Sequence, residues 1–236
     1  MKSWQEDLLS ITSGGRCEYA VFDKIKSAAR SLGFEHCAYG LRIPLPITAP
    51  KTIMLNNYPV RWQECYVSKN YLAIDPTVLH GAKAQIPLIW EDDVFASALG
   101  LWEEAQSFGL RIGWAQSNLD VLGVGGMLTL SRSCGKLTNS ELASQERKWR
   151  WLTIISHLSL SRIFISKLAD TQPVLTAREI EVLKWTADGK TSGEISDIIA
   201  VSEATVNFHI KNAVCKFQTA NKTAAVVRAA MLGMLS

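Results

Sequence analysis

The sequence predicts an α+β chain of two domains. The first is an N-terminal α/β/α sandwich on a mainly antiparallel five-stranded sheet, and the second is a C-terminal all-α domain of four helices with a helix-turn-helix. The 236 residues exceed the usual size of one domain. Helical and extended patterns alternate through most of the chain, whereas the last part shows only capped helical patterns. A short polar stretch separates the parts, so we expect domains at 1–168 and 175–236 joined by a linker at 169–174.

The N-terminal part supplies all the predicted strands. Apolar residues at helical spacing indicate a first helix that ends at Gly33, and these residues are Phe22, Ile25, Ala29 and Leu32. Further helices are expected from a start near Pro59, over 101–108 and over 139–167. Five extended segments predict the sheet, and they lie at 34–43, 52–55, 86–90, 110–116 and 127–132.

Capping residues mark the helices of the C-terminal part. Thr176 and Glu179 have the spacing of a capping box, and Gly189 suits the left-handed conformation that ends a helix. Ser192 is the expected N-cap of the second helix and Ser202 that of the third. Two short helices follow one another with little spacer, as in a helix-turn-helix.

The third of these helices, 203–217, turns a polar face outward that includes Asn207, Lys211 and Asn212. Such a face is typical of a helix that enters the DNA major groove, although any small helical bundle also contains amphipathic helices. From Pro173 onward seven Lys or Arg residues stand against six acids, which is a weak footprint for phosphate binding. We therefore expect a dimer, paired through an apolar stripe on the final helix at 222–235.

The composition excludes several classes of protein. At 47% hydrophobic and 20% charged residues the chain is an ordinary soluble protein, and no apolar run approaches the length of a membrane span. The amino terminus has no signal-peptide pattern. Five scattered cysteines without a Cys-x-x-Cys pair and four histidines without ligand spacing argue against a metal site. We expect a cytoplasmic location, no membrane contact and no cofactor.

An aromatic and polar cluster occurs in the N-terminal part. Tyr58, Trp62 and Tyr66 are spaced by four residues and share one stripe of a predicted helix. Asp75 lies in an apolar stretch without a basic neighbour, where a carboxylate needs hydrogen-bond donors. The aromatic residues also fit a plain hydrophobic core, and Asp75 also fits the N-cap of a helix that begins at Pro76. The spacing alone does not separate these alternatives.

Both parts of the chain resemble the LuxR-type family. The family's helix-turn-helix is similar to the segments Leu175–Trp185, Gly189–Ile195 and Ser202–Asn212. Its autoinducer-binding domain resembles the order Tyr-Pro-x-x-Trp-x-x-x-Tyr, Asp-Pro-Thr, Trp and Gly-x-x-x-Gly, which matches Tyr58, Trp62, Tyr66, Asp75, Thr77, Trp90 and Gly109 to Gly113. The resemblance covers nearly the whole chain. It implies that the ligand is an N-acyl-homoserine lactone, a quorum-sensing signal.

The chemistry of this ligand suggests a role for each polar residue. The Trp62 N–H suits the ring carbonyl, the Asp75 carboxylate suits the amide N–H, and the Tyr58 hydroxyl suits the amide carbonyl. Tyr66 and Trp90 are expected to pack against the ring. Without ligand, Asp75 would be poorly satisfied, so we expect ligand burial to complete the core and make the dimer available to DNA. Thr129 is expected to assist, and the predicted ligand-binding residues are Tyr58, Trp62, Tyr66, Asp75, Thr77, Trp90 and Thr129.

The resemblance also implies how DNA is bound. The helix from Glu203 to about Phe217 would be the recognition helix and the last helix would be the dimer contact. The expected function is that of a ligand-dependent transcriptional regulator, whose partners are the lactone, double-stranded promoter DNA, a second copy and RNA polymerase. The candidate DNA contacts are Ser192, Glu203, Thr205, Asn207, Lys211 and Asn212.

Other functions fit the sequence less well. A response regulator needs clustered acids that the acidic pair Glu6–Asp7 does not reproduce, and an enzyme needs a nucleophile with a base, or a metal, of which the sequence shows none. A regulator of the same family that answers a different small molecule, or a protein that sequesters the signal, remains an alternative. Trp114 is expected to narrow the acyl pocket and Arg42 lies on a strand that lines it, so acyl length and 3-position substitution stay open.

Overall fold

The computed structural model of the protein describes residues 17–43, 50–119, 124–170 and 174–235. They form two units, the second of which begins at Ile165. The predicted linker at 169–174 lies partly outside the described residues, which omit 171–173, and the chain is helical up to Asp170. None of the helices in the described ranges is long and apolar enough to cross a membrane.

Helices and strands alternate in the first unit. Its helices are α1 (Glu18–Ser31), α2 (Val60–Ser68), α3 (Pro76–Gly81), α4 (Leu99–Ser107) and the part of α5 (Asn139–Asp170) that precedes Ile165, with 3₁₀ turns at Tyr71–Ala73 and Ala96–Ala98. Its strands are β1 (His36–Ile43), β2 (Lys51–Asn56), β3 (Leu88–Ile89), β4 (Ile112–Leu119) and β5 (Gly125–Arg132). The strand order is β2-β1-β5-β4-β3 and each neighbouring pair is antiparallel. The predicted five-stranded antiparallel sheet is confirmed.

The two faces of this sheet carry different layers. On one face the Tyr39 hydroxyl and the His157 ring of α5 are hydrogen-bonded at 2.9 Å. Gly126 makes this approach possible, because a Cβ there would lie 2.3 Å from the imidazole Nδ1 of His157. Directly paired residues of an antiparallel ladder share a face, so the register assigns every side chain of the sheet to one side or the other. The opposite face carries an aromatic cluster that involves α2 and α4.

Trp114 lies on the α5 side of the sheet. It is fully buried there, with its ring edge-on to Trp149 at a centroid distance of 5.7 Å. The expectation that Trp114 narrows the acyl pocket is therefore wrong. Hydrophobic alternation reveals the period of a strand, but only the register shows which face a residue occupies. Arg42 pairs with Gly125, which places it on the other face, and its side chain is exposed.

Strand β3 is shorter than the predicted 86–90. Pro87 lacks an N–H for the ladder, and a strand next to proline cannot pair in full. The Trp90 N–H nevertheless donates to the Gly113 carbonyl at 2.8 Å. Trp90 is therefore held at the edge of the sheet, beside β4.

The second unit consists of short helices around two apolar clusters. The helices are α6 (Ala177–Ala187), α7 (Ser192–Ile199), α8 (Glu203–Lys216) and α9 (Lys222–Met231). Val182 of α6, Ile195 of α7 and Val206 of α8 form the cluster at the helix-turn-helix. The other cluster holds α6, α8 and α9 together through Leu175, Leu183, Ala213, Phe217, Ala225 and Ala229. The last helix ends before the predicted 235, and Gly233 follows it with φ +69°.

The caps of these helices confirm the sequence pattern at two of three positions. The capping box of Thr176 with Glu179 is present, and the Ser202 side chain accepts the Thr205 N–H. The prediction for Ser192 is wrong, because Thr191 is the N-cap and forms a capping box with Glu194. With the N-cap at Thr191, the third residue of the helix is Glu194, and its side chain accepts the Thr191 backbone N–H. A cap at Ser192 would put no glutamate at that third position.

Candidate ligand and DNA sites

One wall of the candidate ligand site is aromatic. Trp62, only 3% exposed, stands one helical turn before Tyr66 on α2, and their rings meet edge-on at 5.7 Å. The ring centroid of Tyr71 lies 6.0 Å from that of Trp62, and the ring centroid of Phe108 lies 5.8 Å from it. Tyr58 packs against the same cluster just before α2 begins. The structure thus brings together the three aromatic residues that the helical spacing singled out.

Asp75 is both a helix cap and a buried carboxylate. Its Oδ1 accepts the Thr77 N–H at 2.8 Å and the Thr77 hydroxyl at 2.7 Å, which caps α3. Its Oδ2 accepts the Tyr66 hydroxyl at 2.8 Å. The expectation of a poorly satisfied Asp75 is therefore wrong, because the chain itself supplies three donors. The two interpretations that the sequence left open hold at the same time.

Burial controls the electrostatics of this group. Burial raises the pKa of Asp75, although the hydrogen bonds from Thr77 and Tyr66 oppose that shift. Burial also raises the pKa of Tyr58 and of Tyr66, and the nearby Asp75 carboxylate raises both further. Both phenols therefore stay protonated and keep a proton to donate.

A second wall is built around Trp90. Its ring covers Gly113, where an added Cβ would lie 2.2 Å from the Cδ2 of Trp90. Trp90 contacts Phe95 and Trp102 edge-on, and those two rings stack in parallel at 4.4 Å. The Trp102 N–H donates to Asp92 at 2.7 Å, which holds the stack in place. Only glycine at position 113 allows the indole to lie so close to the sheet.

Polar side chains on the sheet complete the site. Thr129 is 4% exposed and pairs with Ala38, which assigns it to the face opposite α5. Ser131 lies two residues along β5 on the same face and pairs with Gly113, the residue beneath Trp90. The Ser131 hydroxyl and the Trp90 indole N–H are buried without a hydrogen-bond partner. Buried polar atoms are normally paired, so two such atoms beside one glycine make this a candidate position for a polar ligand group.

Ser131 and the residues that support Trp62 were not among the predicted site residues. The alternation from Thr129 along β5 is the signal that would have found Ser131. The Glu104 carboxylate of α4 accepts from the Cys65 thiol at 2.8 Å, from the Tyr71 hydroxyl at 3.0 Å and from the Lys69 ammonium group. Hydrogen bonds from Cys65 and Lys69 lower the pKa of Glu104 to about 2. No spacing in the sequence shows these contacts, because α2 and α4 are distant along the chain.

The candidate DNA surface lies on α8. Asn207 and Lys211 are exposed on it, as is Glu203 at its first turn. The Ser192 hydroxyl of α7 donates to the Asn207 Oδ1 at 2.8 Å, so the helix-turn-helix itself orients this amide. Phe208, which was not among the predicted DNA contacts, is 59% exposed on the same helix.

Two other predicted DNA contacts are less accessible. Thr205 is half-buried, and its hydroxyl and that of Ser202 are hydrogen-bonded at 2.8 Å. Asn212 is also half-buried. Both residues belong to the turn and flank of α8 rather than to its most exposed line.

A buried ion pair fixes α6 against α8. Glu179 is 2% exposed, and its carboxylate accepts from the Lys216 ammonium group at 2.7 Å and from the Thr176 N–H at 2.7 Å. Burial works to raise the pKa of Glu179, but Lys216 and the Thr176 backbone hold it below its usual value. The carboxylate therefore stays charged and holds the end of α8 against the start of α6.

The described residues contain no group of three or more histidine, cysteine or acidic side chains that could hold a metal ion.

Comparison with known proteins gives matches to both units. Residues 18–160 match the autoinducer binding domain family, and residues 173–229 match the bacterial regulatory proteins of the luxR family. The chain is 47% identical to the transcriptional activator protein AnoR of Acinetobacter nosocomialis, with 100% of both chains covered. It is 35% identical to the quorum-sensing regulator RhlR of Pseudomonas aeruginosa, over 98% of this chain and 96% of that protein.

Solved structures agree over the full length. The crystal structure of Escherichia coli SdiA has a TM-score of 0.85 at 34% identity and covers 99% of this chain and 98% of its own. SdiA in complex with octanoyl-rac-glycerol has a TM-score of 0.83 at 35% identity, with 98% and 95% covered. These relatives are a transcriptional activator, a quorum-sensing regulator and a regulatory protein. An autoinducer-binding domain followed by a helix-turn-helix DNA-binding domain makes this chain a member of the LuxR family of quorum-sensing transcriptional regulators.

Proposed function

We propose that this regulator binds an N-acyl-homoserine lactone in its first unit and, as a dimer, binds promoter DNA through α8. The observation that carries the proposal is the Asp75 carboxylate, buried and held by Thr77 and Tyr66 beside the Trp62 ring. An oriented acceptor in an aromatic cluster suits an amide N–H next to a lactone ring. The proposed domain bounds are 1–168 and 175–236, with the linker at 169–174.

Each polar group of the lactone has a partner in this arrangement. The Trp62 N–H is assigned to the ring carbonyl, Asp75 to the amide N–H, and the protonated Tyr58 phenol to the amide carbonyl. Thr129 and Ser131 lie on the sheet face that the same carbonyl would approach. A hydrogen bond to the charged Asp75 contributes more than a neutral one, about 1.5–3 kcal/mol.

The remaining predicted residues have supporting roles. Tyr66 orients Asp75 through its hydroxyl besides packing near the ring, and Thr77 fixes the other carboxylate oxygen. Trp90 provides the second aromatic wall and brings a buried, unpartnered N–H to it. These three residues preorganise the site, which lowers the ordering cost of binding.

For DNA binding, the proposed contacts are the accessible side chains of α8 with their support from α7. Lys211 is assigned to phosphate and Asn207, oriented by Ser192, to base edges or phosphate. Glu203 at the helix start is assigned to a neighbouring base, while Thr205 and Asn212 support α8 near the backbone of the DNA. RNA polymerase is the proposed further partner and the cytoplasm the proposed location, since promoter DNA is there.

The dimer is proposed to form through α9. Val226 and Leu235 pack against the unit's own core, whereas Val227, Ala230 and Met231 form an i, i+3, i+4 stripe outside that cluster. One weakly basic unit makes few phosphate contacts, and a dimer doubles their number.

Met231→Glu should shift the liganded protein from dimer to monomer in sedimentation and lower its DNA affinity. A dimer that survives this change would place the contact elsewhere.

Ligand identity is tested by extraction. The full chain is produced with and without a panel of N-acyl-homoserine lactones, purified, and the bound molecules are identified by mass spectrometry. An intact lactone at near-equal stoichiometry is expected, and recovery of hydrolysed acyl-homoserine or of no lactone would overturn the proposal.

Tyr58→Phe should retain less lactone, because the ring remains but the phenol proton is lost. Tyr19→Phe, an exposed tyrosine on α1, is the matched control and should change nothing.

A second candidate ligand is a monoacylglycerol. The similar SdiA structure holds octanoyl-rac-glycerol, and a glycerol hydroxyl can donate to Asp75 as an amide N–H does. The same extraction distinguishes the two, because only one of the molecules contains nitrogen. Protein produced without added lactone that contains an acylglycerol at near-equal stoichiometry would favour this alternative.

A further inference from the structure

Gly40 is a glycine that neither the backbone nor the packing of the protein requires. It lies in the middle of β1 and is absent from the residues with positive φ. A Cβ built on it meets no heavy atom within 4 Å, whereas one at Gly113 or Gly126 would lie 2.2 or 2.3 Å from a neighbouring ring atom. Glycine inside a strand weakens it, and such a residue commonly marks a place where a ligand approaches closely.

The register places Gly40 on the face of the proposed ligand site. It pairs with Met127 of β5 and Met54 of β2, and Ala38, two residues earlier, pairs with Thr129. All these residues therefore share the face that carries Ser131 and Trp90. Open space at Gly40 thus belongs to the same side of the sheet as the polar groups assigned to the lactone head.

Gly40 lies well away from the polar end of the site. Ser131 pairs with His36 and Met127 pairs with Gly40, which is a separation of four residues along both strands. At about 3.4 Å per residue this is roughly 14 Å. A ligand with its head near Ser131 reaches Gly40 only through an extended chain.

Methionine flanks Gly40 on both neighbouring strands. The Met127 sulfur extends toward α3, where a Cβ on Gly81 would lie 2.9 Å from it, and Met54 is partly exposed. Methionine is unbranched and flexible, so it adapts to apolar groups of different shape. The row Met54-Gly40-Met127 is an apolar and adaptable surface with a gap at its centre.

We propose that Gly40 determines which acyl chains the receptor accepts, because the tail of the signal crosses β1 in the gap between Met54 and Met127. The proposal rests on the proposed function and adds the residue that sets chain length. A side chain at position 40 would fill the gap and exclude long tails, while short tails that end before this row would bind as before.

The test compares variants across a series of N-acyl-homoserine lactones from butanoyl to dodecanoyl. The full chain is produced with each lactone, and the lactone concentration that gives half-maximal retention of lactone by the purified protein is measured. Gly40→Val should change the butanoyl value less than about twofold and raise the dodecanoyl value about tenfold or more, as overpacking does. Gly40→Ala should give a smaller shift in the same direction.

Two further variants make the result decisive. Gly100→Val is the matched control, since a Cβ at Gly100 of α4 also meets nothing within 4 Å but lies off the sheet. It should affect all lactones alike. Met127→Ala enlarges the same gap from β5 and should favour longer chains, and in combination with Gly40→Val it should restore part of the lost dodecanoyl response. If Gly40→Val gives no folded protein with any lactone, Gly40→Ala and Met127→Ala decide.

The outcomes separate the two proposals. If the unmodified chain responds to lactones but the Gly40 variants weaken all chain lengths equally, or leave the dodecanoyl response unchanged, the assignment of Gly40 is wrong and the proposed function stands. If the unmodified chain responds to no lactone, the proposed function fails and the role of Gly40 fails with it.

Discussion

Asp75 shows how one side chain meets two structural demands. Thr77 holds one of its oxygens as a helix cap, and Tyr66 holds the other inside the aromatic cluster. Asparagine is as good an N-cap as aspartate, so the cap can survive a change of charge at this position. The carboxylate itself can then be tested without loss of α3.

Asp75→Asn should weaken the response to lactone by about 1.5–3 kcal/mol, which is tenfold or more. The substitution replaces an acceptor-only group with one that also donates, so it opposes both the Tyr66 hydroxyl and the ligand amide. The measurement is lactone binding or reporter activation against lactone concentration. A variant that responds at the original concentrations would remove Asp75 from the site, provided that its circular dichroism is unchanged.

Glu104 governs the acid stability of the α2–α4 contact. Hydrogen bonds from Cys65 and Lys69 lower its pKa from the usual 4.5 to about 2. A depressed pKa in the folded state means that this contribution is complete above pH 4.5 and is lost as the pH falls toward 2. Glu104→Gln should therefore flatten the pH dependence of the unfolding free energy across that interval, which denaturant titrations at several pH values would measure. An unchanged slope would show that the carboxylate contributes no net stability.

At the scale of elements, local pattern predicted most of the fold. The capping box at Thr176 and the five strands follow from spacing, because caps and alternation depend on neighbours in sequence. Thr191 was missed because two adjacent hydroxyl residues compete for one cap. Trp114 and Ser131 were misjudged or overlooked because the face of a strand depends on pairing with distant strands. Spacing identified the aromatic cluster of the site, whereas its support through Glu104 came only from tertiary contacts.

The turn between α7 and α8 contains an exposed alanine in the left-handed region. Ala200 has φ +54° and ψ +50°, a conformation that costs a residue with a Cβ about 1–2 kcal/mol. Ala200→Gly should raise the unfolding free energy of the helix-turn-helix unit by about 0.5–1 kcal/mol, after the extra freedom of glycine in the unfolded chain is counted. Ala204→Gly on the exposed face of α8 is the control and should lower it. Urea titration of the full chain measures the unfolding free energy of both variants. A lower unfolding free energy for Ala200→Gly would show that Ala200 is not strained.

At the scale of the whole molecule, sensing and DNA binding are assigned to separate units. Their candidate residues share no element, since the ligand groups lie on α2, α3 and the sheet and the DNA groups lie on α7 and α8. A substitution confined to the DNA surface should therefore alter DNA binding and leave lactone uptake intact. This separation makes each assignment testable by itself.

Lys211→Ala should reduce DNA affinity and lower the slope of its salt dependence by about 1 for each copy, while lactone uptake stays unchanged. The exposed ammonium group of α8 is assigned to a phosphate, whose counterions it releases on binding. Binding is measured at several salt concentrations on one promoter fragment. Lys190→Ala is the control, because this lysine lies before α7 and pairs with Glu194 at 3.7 Å. Loss of lactone uptake together with DNA binding would indicate misfolding.

The hydrogen bonds at Asp75 also limit the chemistry of the signal. A carboxylate only accepts hydrogen bonds, and Thr77, Tyr66 and the Val78 N–H already donate to this one. A molecule that binds beside it must therefore bring a donor of its own. A signal whose amide nitrogen carries a methyl group has nothing to place there and should be rejected even if its head and tail fit. The receptor would thereby distinguish secondary from tertiary amides.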